Sequence, residues 1–451
     1  MFKQITKILT LAATITVGAL GLISVPSAYA ATEIQEVTSP GGITAWLVEE
    51  HSLPFIVIEA AWENGTLQDP EAKTGLTYMM AGLMNEGAGD LDSQAYQGEL
   101  ERLAANLSFR ASRDRLSLSF KTLTENRKEA VELLRLALTK PRFDEGPIEQ
   151  IRGQLKVAIL RDAESPDKIA AEAWYNAALA DHPYTRPSKG TLESIATLGR
   201  DDLIAHHQRL FAKDNIKISV VGDIEPEVLS DLLDEVFGGL PDTTSLEEVA
   251  LAEVNPEAQL QIIERNMPQS VVLFGHAGIA REDDDFIPAY VMNYILGGGG
   301  FSSRLMTEVR EKRGLAYSVA TYLYPLRHAA LFIGQVATEN QRVSESLNVI
   351  RAEIAKLAAE GVTEKELADA KTYLTGSYPL RFDTNDKIAG QLIAIQEADL
   401  GIDYITRRNG LIEAVTQDDI KRVAKRLLGS ENLIVTVVGQ PEGLLAEGSA
   451  P

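Results

Sequence analysis

Apolar residues fall at alternate positions or in short runs over residues 43–48, 54–62, 107–110 and 116–120, a period that predicts strands with one or both faces buried. A period near 3.6 takes over in 93–105, 125–138 and 147–164, which predicts helices. Pro147 stands near the first turn of the last of these, where a missing N–H costs no hydrogen bond. The same mixture returns later, with strands predicted over 259–264, 271–275, 317–324 and 330–336 and helices over 284–296, 303–312, 342–358 and 364–374. Thr363 and Glu366 have capping-box spacing at the start of the final helix. Strand hairpins followed by helix pairs point to sheets covered by helices on one side rather than to a doubly wound sheet.

One internal repeat organises this pattern. Residues 200–222 read RDDLIAHHQRLFAKDNIKISVVG and residues 417–439 read QDDIKRVAKRLLGSENLIVTVVG, at a constant offset of 217 without a gap. In each copy an acidic pair precedes a helical stretch, and a β-branched run then ends at glycine, so one helix feeding one buried strand occurs twice. The expected fold is therefore α+β, with two duplicated α/β sandwich halves, each a sheet covered by helices, facing each other across a cavity. The Gly238-Gly239-Leu240-Pro241 turn and the polar residues after it mark the junction. The expected division is a signal peptide at 1–30, a first half at 31–240, a linker at 241–256 and a second half at 257–451.

Lys3 and Lys7 precede an uncharged run over 8–23, then Pro26 and the small-residue pattern Ala28-Tyr29-Ala30. That order is a secretory signal peptide, too short and too interrupted to be a membrane span, with cleavage expected after Ala30. No stable membrane span is expected after cleavage, and a periplasmic location follows as an expectation. The chain has no cysteine, so disulfides and thiolate metal sites are excluded. Its formal net charge is −22, and it carries no long basic patch, so nucleic acid is not an expected partner.

Several landmarks, in order along nearly the whole mature chain, resemble the pitrilysin/insulinase family of zinc peptidases, including its small bacterial members and the mitochondrial processing peptidase. They are Trp62-Glu63-Asn64-Gly65-Thr66 followed by Gly75-Leu76-Thr77; Asp181-His182-Pro183-Tyr184 with Gly190-Thr191; and GGGGFSSRLMTEVREKRGLAY over 297–317. Zinc-dependent peptide hydrolysis needs three protein ligands, an open fourth position and a carboxylate base. The family supplies two histidines and the base as H-x-x-E-H on one helix. Alignment through Gly75-Leu76-Thr77 places Tyr78 and Gly82 at the histidines and Ala81 at the base; counting from Arg152 places Ala158 at the third ligand. None of the four side chains performs the family's role, so no metal is expected in this chain. The six histidines contain no H-x-x-x-H pair: His51, His182, His276 and His328 stand alone, and the adjacent His206 and His207 point to different sides of a helix. Asp283-Asp284-Asp285 is an acid run suited to a helix N-terminus.

On their own, Arg310 and Tyr317 read as a solvated base and a half-buried strand aromatic. The resemblance implies a different role, because the family places an arginine and a tyrosine at this spacing against the scissile peptide. A guanidinium and a phenol are donors suited to a carbonyl or its oxyanion. The family also binds peptides along a sheet edge, for which residues 107–113 are the candidate here. The resemblance implies a non-catalytic, substrate-binding subunit, no peptidase by itself, that contributes Arg310 and Tyr317 to a heterodimeric zinc metallopeptidase degrading peptides in the periplasm. Zinc is then expected in a homologous partner subunit. The alternative is a peptide-binding or assembly-scaffold protein of the same fold without proteolysis; an autonomous peptidase with an unrecognised site ranks last.

Overall fold

Two mixed sheets are built to one plan, and helices from both halves of the chain cover them. The computed structural model describes residues 33–429 and 431–444; the expected signal segment, 1–30, lies outside them. In chain order the first half contains β1 (Gln35–Thr38), β2 (Thr44–Glu49), β3 (Phe55–Glu63), α1 (Leu76–Leu83), α2 (Ser93–Arg102), β4 (Asn106–Ala111) and β5 (Arg115–Leu123). It continues through α3 (Arg127–Thr139), α4 (Glu145–Glu164), α5 (Pro166–Ala178), α6 (Leu192–Thr197), α7 (Arg200–Leu210), β6 (Ile216–Gly222) and α8 (Pro226–Phe237). The second half contains β7 (Gln259–Glu264), β8 (Gln269–Ala277), α9 (Phe286–Asn293), β9 (Ala316–Pro325) and β10 (Ala330–Glu339). After these come α10 (Val343–Glu360), α11 (Glu364–Gly376), α12 (Asn385–Glu397), α13 (Tyr404–Ala414), α14 (Gln417–Leu427) and β11 (Ile434–Gly439).

The sheets run β1-β2-β6-β3-β5-β4 and β7-β11-β8-β10-β9. In each, the strand formed by the repeat, β6 or β11, lies parallel to its half's early strand, β2 or β7, and antiparallel to the next, β3 or β8. The 217-residue repeat thus marks duplication of a whole half, with β1 as an addition to the first. Strand β4 is an edge, paired only with β5, so residues 107–111 occupy the edge position expected of them.

Alternation along β3 shows how each sheet acquires two apolar faces. Ile56, Ile58, Ala60 and Trp62 enter the core shared with helices of the first half, while Val57 points the other way with Trp46, Val48 and Val221. That second face is covered by α12 of the other half, through Ile388, Ala389, Leu392 and Ile395. The exchange is reciprocal: α5 of the first half lays Ala170, Trp174 and Ala178 on Val271, Leu273, Ile434 and Val438 of the second sheet. Helices on one side only, as the pattern of hairpins and helix pairs implied, is therefore incomplete, because neither half supplies the cover for its second face.

Hydrogen bonds lock the exchanged helices. The Trp174 indole N–H donates to the Ile434 carbonyl at 3.0 Å, Ser219 Oγ donates to the Ala389 carbonyl at 2.9 Å, and Gln396 Nε2 donates to the Ile218 carbonyl at 3.0 Å. A cleft of about 820 Å³ remains between the halves, with α5 on one side and the β7 edge on the other. Residues 241–258 contain no helix or strand, yet Val249, Ala252 and Val254 pack against the core under α5.

Trp174→Ala removes a fully buried indole and its hydrogen bond from this seam, and a loss of about 3–5 kcal/mol is expected. Urea unfolding of the mature chain checks it: the midpoint falls, whereas an unchanged midpoint would show that the seam does not limit stability.

Candidate functional site

Helix α1, where the zinc motif would stand, is held by an unusual capping arrangement. Its N-cap residue is Gly75, with φ +90° and no side chain to cap with. A Cβ there would lie 2.5 Å from the Lys189 carbonyl oxygen, and one on Gly190 would lie 2.3 Å from that of Thr74, so two family landmarks meet backbone to backbone through glycine. Capping comes instead from Asp69, six residues upstream, which accepts from the Gly75 N–H at 2.8 Å, the Thr77 N–H at 2.9 Å and Thr77 Oγ1 at 2.5 Å. Because the Thr77 hydroxyl proton goes to Asp69, its oxygen is left to accept from His206 Nε2 at 2.7 Å, which makes His206 the neutral Nε2–H tautomer. Burial pushes the Asp69 carboxyl up to about 6, against the donors from Thr77 and Gly75, and holds His206 down to about 3.

The four candidate metal positions, three on this well-anchored helix and one on α4, carry no donor set. Tyr78 is half-buried against the first core, Ala81 is buried, and Gly82 is partly exposed. A Cβ on Gly82 would meet only the Ile151 side chain, at 3.5 Å, on α4. Ala158 lies on the same α4 helix, half-exposed. Aliphatic carbon lines the place where α1 faces α4, and a zinc ion held by nitrogen and oxygen ligands at about 2.0–2.2 Å does not fit these residues. Arg152, the counting landmark, binds the Ile195 and Leu198 carbonyls and so fixes α4 to α6.

The histidines are engaged elsewhere. His206 and His207 do face different partners, His207 Nε2 donating to the Leu138 carbonyl at 2.9 Å. His51, in contrast, is not isolated: it lies 2.7 Å from Asp223 Oδ1 and 3.3 Å from Glu49 Oε2, with Glu225 at 3.8 Å. Among the described residues, Glu49, His51 and Glu225 are the one group of such side chains within metal-ligating distance of each other, and they stand away from α1 and α4. The acid run behaves as read, with Asp285 at the start of α9 paired to Arg422 at 2.5 Å and Arg426 at 2.9 Å.

Arg310 and Tyr317 come together on the second half. The stretch expected as an α-helix over 303–312 is wound as a π-helix over Met306–Glu311, and a second π-helical turn, Tyr294–Gly298, enters the glycine run. Gly314, with φ +62°, then turns the chain into β9. The Arg310 guanidinium carbon lies 4.8 Å from the Tyr317 ring centre and 4.7 Å from that of Phe301. Phe301 and Tyr317 are 67% and 80% exposed, so this stack faces solvent. Glu308, two residues before Arg310, is taken by Lys312 and Arg313 at 2.6 Å each, and neither it nor the adjacent Glu311 pairs with Arg310, which has no carboxylate partner among the described residues. Two aromatic faces fix the guanidinium's plane and leave its N–H edges for an acceptor outside the chain. Phe301 escaped the sequence reading, although an aromatic residue inside Gly-Gly-Gly-Gly-Phe-Ser-Ser has no apolar periodicity to bury it.

The remaining landmarks meet at the seam. The Tyr184 hydroxyl donates to Asp114 Oδ1 at 2.5 Å and accepts from the His328 N–H at 3.0 Å; Asp114 Oδ2 accepts from the Arg327 N–H at 3.2 Å. Glu63 pairs with Arg327 at 2.9 Å. Motifs around Trp62 and Tyr184 thereby grip the β9–β10 turn of the other half.

This geometry defines a two-half peptidase-like scaffold with an exposed arginine–aromatic stack and no metal-binding set at the α1 positions. Residues 56–192 match the family model described as insulinase (peptidase family M16), and residues 197–374 match that of the peptidase M16 inactive domain. The chain belongs to the insulinase family of peptidase-like proteins. It is 28% identical over 337 residues to a non-peptidase homolog, YmxG, of Helicobacter pylori, covering 74% of this chain and 78% of that protein. It is 26% identical over 413 residues to a probable mitochondrial-processing peptidase subunit beta of Schizosaccharomyces pombe, covering 85% and 86%. The crystal structure of a peptidase M16 inactive domain from Pseudomonas fluorescens superimposes with a TM-score of 0.85 at 27% identity, covering 93% of this chain and all of that one. These likenesses mark an inactive, peptidase-like member of the family.

Burial also holds His207 down to about 4 and lowers His276. Folded values below the ordinary 6.5 mean that the unfolded chain takes up these protons first, so stability present above pH 6.5 is lost as pH falls toward 4. Asp69 acts with opposite sign, adding stability as pH falls from about 6 toward 3.8, but one carboxyl offsets only part of the loss from the histidines. The unfolding free energy from urea titration is expected to fall between pH 7 and pH 5, by roughly 1–2 kcal/mol for each of His206 and His207 before the partial offset from Asp69. His207→Gln should flatten that slope, and identical slopes in the two proteins would contradict the assignment.

Proposed function

We propose that this chain is the non-catalytic, substrate-binding subunit of a heterodimeric zinc metallopeptidase that degrades peptides in the periplasm. The observation that carries the reading is the Arg310 guanidinium, stacked on the exposed rings of Tyr317 and Phe301 with no carboxylate partner among the described residues, in a chain whose α1 and α4 positions offer no metal donor. A homologous partner subunit brings the zinc and the base, while Arg310 and Tyr317 donate to the substrate carbonyl and to the oxyanion formed on attack by water. Edge strand β4 offers backbone groups to an extended peptide, which suits binding without strong sequence preference. Export rests on Lys3, Lys7, the uncharged run over 8–23 and Ala28-Tyr29-Ala30. A second reading, a peptide-binding or assembly scaffold without proteolysis, draws support from similarity to a relative described as a non-peptidase homolog.

Affinity purification of the mature chain from its native periplasm, with zinc analysis and peptide cleavage assayed on the chain alone and on the co-purified assembly, separates these readings. The expected result is no zinc and no cleavage by the chain alone, and both in an assembly with a zinc-bearing homologue. In that assembly Arg310→Ala is expected to lower kcat/KM by about 10²–10³. Tyr317→Phe should lower it less. An assembly that cleaves equally well with Arg310→Ala would remove the substrate-binding role, and a partner lacking zinc would favour the scaffold.

A further inference from the structure

A hollow of about 390 Å³ lies in the second half, between α9, the β9 edge and the turn from α12 to α13. Three arginines, Arg281, Arg381 and Arg408, line it, and no aspartate or glutamate does. None of the three has a carboxylate within ion-pair distance among the described residues. Three neighbouring acids are committed elsewhere, Asp403 to Arg407 at 2.8 Å, Asp285 to Arg422 at 2.5 Å and Glu397 to Arg115, while Asp399 and Glu282, beside lining residues in the chain, pair with none of the three arginines.

Arg408 is the most telling of them. It is 6% exposed, and its Nη1 donates to the Leu374 carbonyl at 3.1 Å and to Asn409 Oδ1 at 3.2 Å. Its Nε and Nη2 have no acceptor among the described residues, and its plane rests 4.0 Å from the Tyr378 ring centre and 5.8 Å from that of Tyr290. A buried guanidinium without a counterion carries a desolvation cost, and two further guanidiniums around the same hollow add like-charge repulsion. Arg281 is held in place by Phe286, 4.3 Å from its ring centre, and by the Tyr404 hydroxyl, which accepts from Nη2 at 3.0 Å. The rings that fix the arginines also make the walls of the hollow flat and apolar.

We propose that this hollow binds a small organic anion, a carboxylate or phosphate group carried on an aromatic body, with the charged group among the three guanidiniums and the ring against the tyrosines. Such a ligand supplies the missing counterion and fills a concave site of ordinary ligand size. The site is separate from the stack of Arg310, Tyr317 and Phe301 and does not depend on the peptidase reading.

Calorimetric titration of the mature chain with phenyl phosphate, benzoate, inorganic phosphate and neutral benzyl alcohol tests it. Saturable binding of phenyl phosphate or benzoate is expected, about tenfold or more tighter than benzyl alcohol and weaker as salt rises. Whichever of the two binds more tightly identifies the head group. Arg281→Gln and Arg381→Gln keep the buried Arg408 intact and are each expected to weaken binding by about tenfold. Absence of saturable binding by either aromatic anion, inorganic phosphate binding as tightly as phenyl phosphate, or wild-type affinity in both variants would overturn the proposal.

Discussion

The exchange of α5 and α12 between the halves is the constraint on which the rest of the structure depends. A sheet whose strands alternate apolar residues to both faces must have both covered, and each half folds its own helices onto only one. Cover for the other face arrives from the opposite half: α12 on the first sheet, α5 on the second. Neither half completes its burial alone, so the two behave as one unit from Ile34 onward. The polar grip of Asp114, Tyr184 and Glu63 on the β9–β10 turn then fixes their angle, because the Arg327 N–H to Asp114, the His328 N–H to Tyr184 and the Glu63–Arg327 pair all cross the same seam.

That rigidity explains how the scaffold holds its architecture with no metal donors at the α1 positions. Helix α1 is not shaped by a bound ion but by the Asp69–Thr77–His206 chain and by the glycine contact between Gly75 and Gly190. These interactions sit below the helix, in its first turn, while Tyr78, Ala81 and Gly82 occupy the positions above them. The capping network therefore draws on none of these three residues. What the second half presents is built independently, from two π-helical turns flanking a glycine run, where the extra residue per turn displaces side chains from the usual helical face.

Much of this was legible in the chain. Periodicity and the internal repeat located every strand of the two sheets except β1, and the long helices α3, α4, α10 and α11, to within a few residues, because those elements bury one face against neighbours close in sequence. The exchanged helices α5 and α12 were not read as separate elements. Their apolar faces answer to a sheet in the other half, and nothing local in Pro166–Ala178 or Asn385–Glu397 says which sheet that is. The π-helix at Met306–Glu311 was invisible for a similar reason: its periodicity differs from the α-helix by too little over six residues. Arg310 and Tyr317 were legible only through the family pattern, since seven residues of separation across a glycine break carries no geometric information by itself.

Charge sharpens the reading of both arginine sites. With 65 acidic residues against 43 basic ones, carboxylates are abundant, and most arginine clusters on this surface have found them. Arg422 and Arg426 share Asp283 and Asp285, and Arg135 takes Glu132. An arginine that remains without an acid in such a chain is not explained by shortage. At Arg310, Glu308 is captured by Lys312 and Arg313, the adjacent Glu311 forms no ion pair with it, and aromatic faces stand beside the guanidinium. At Arg408 the carboxylate is replaced by tyrosine rings and a backbone carbonyl, which orient a guanidinium without neutralising it. Stacking of this kind preserves the positive potential that a salt bridge would cancel, so each arrangement keeps a charge available at the cost of some stability.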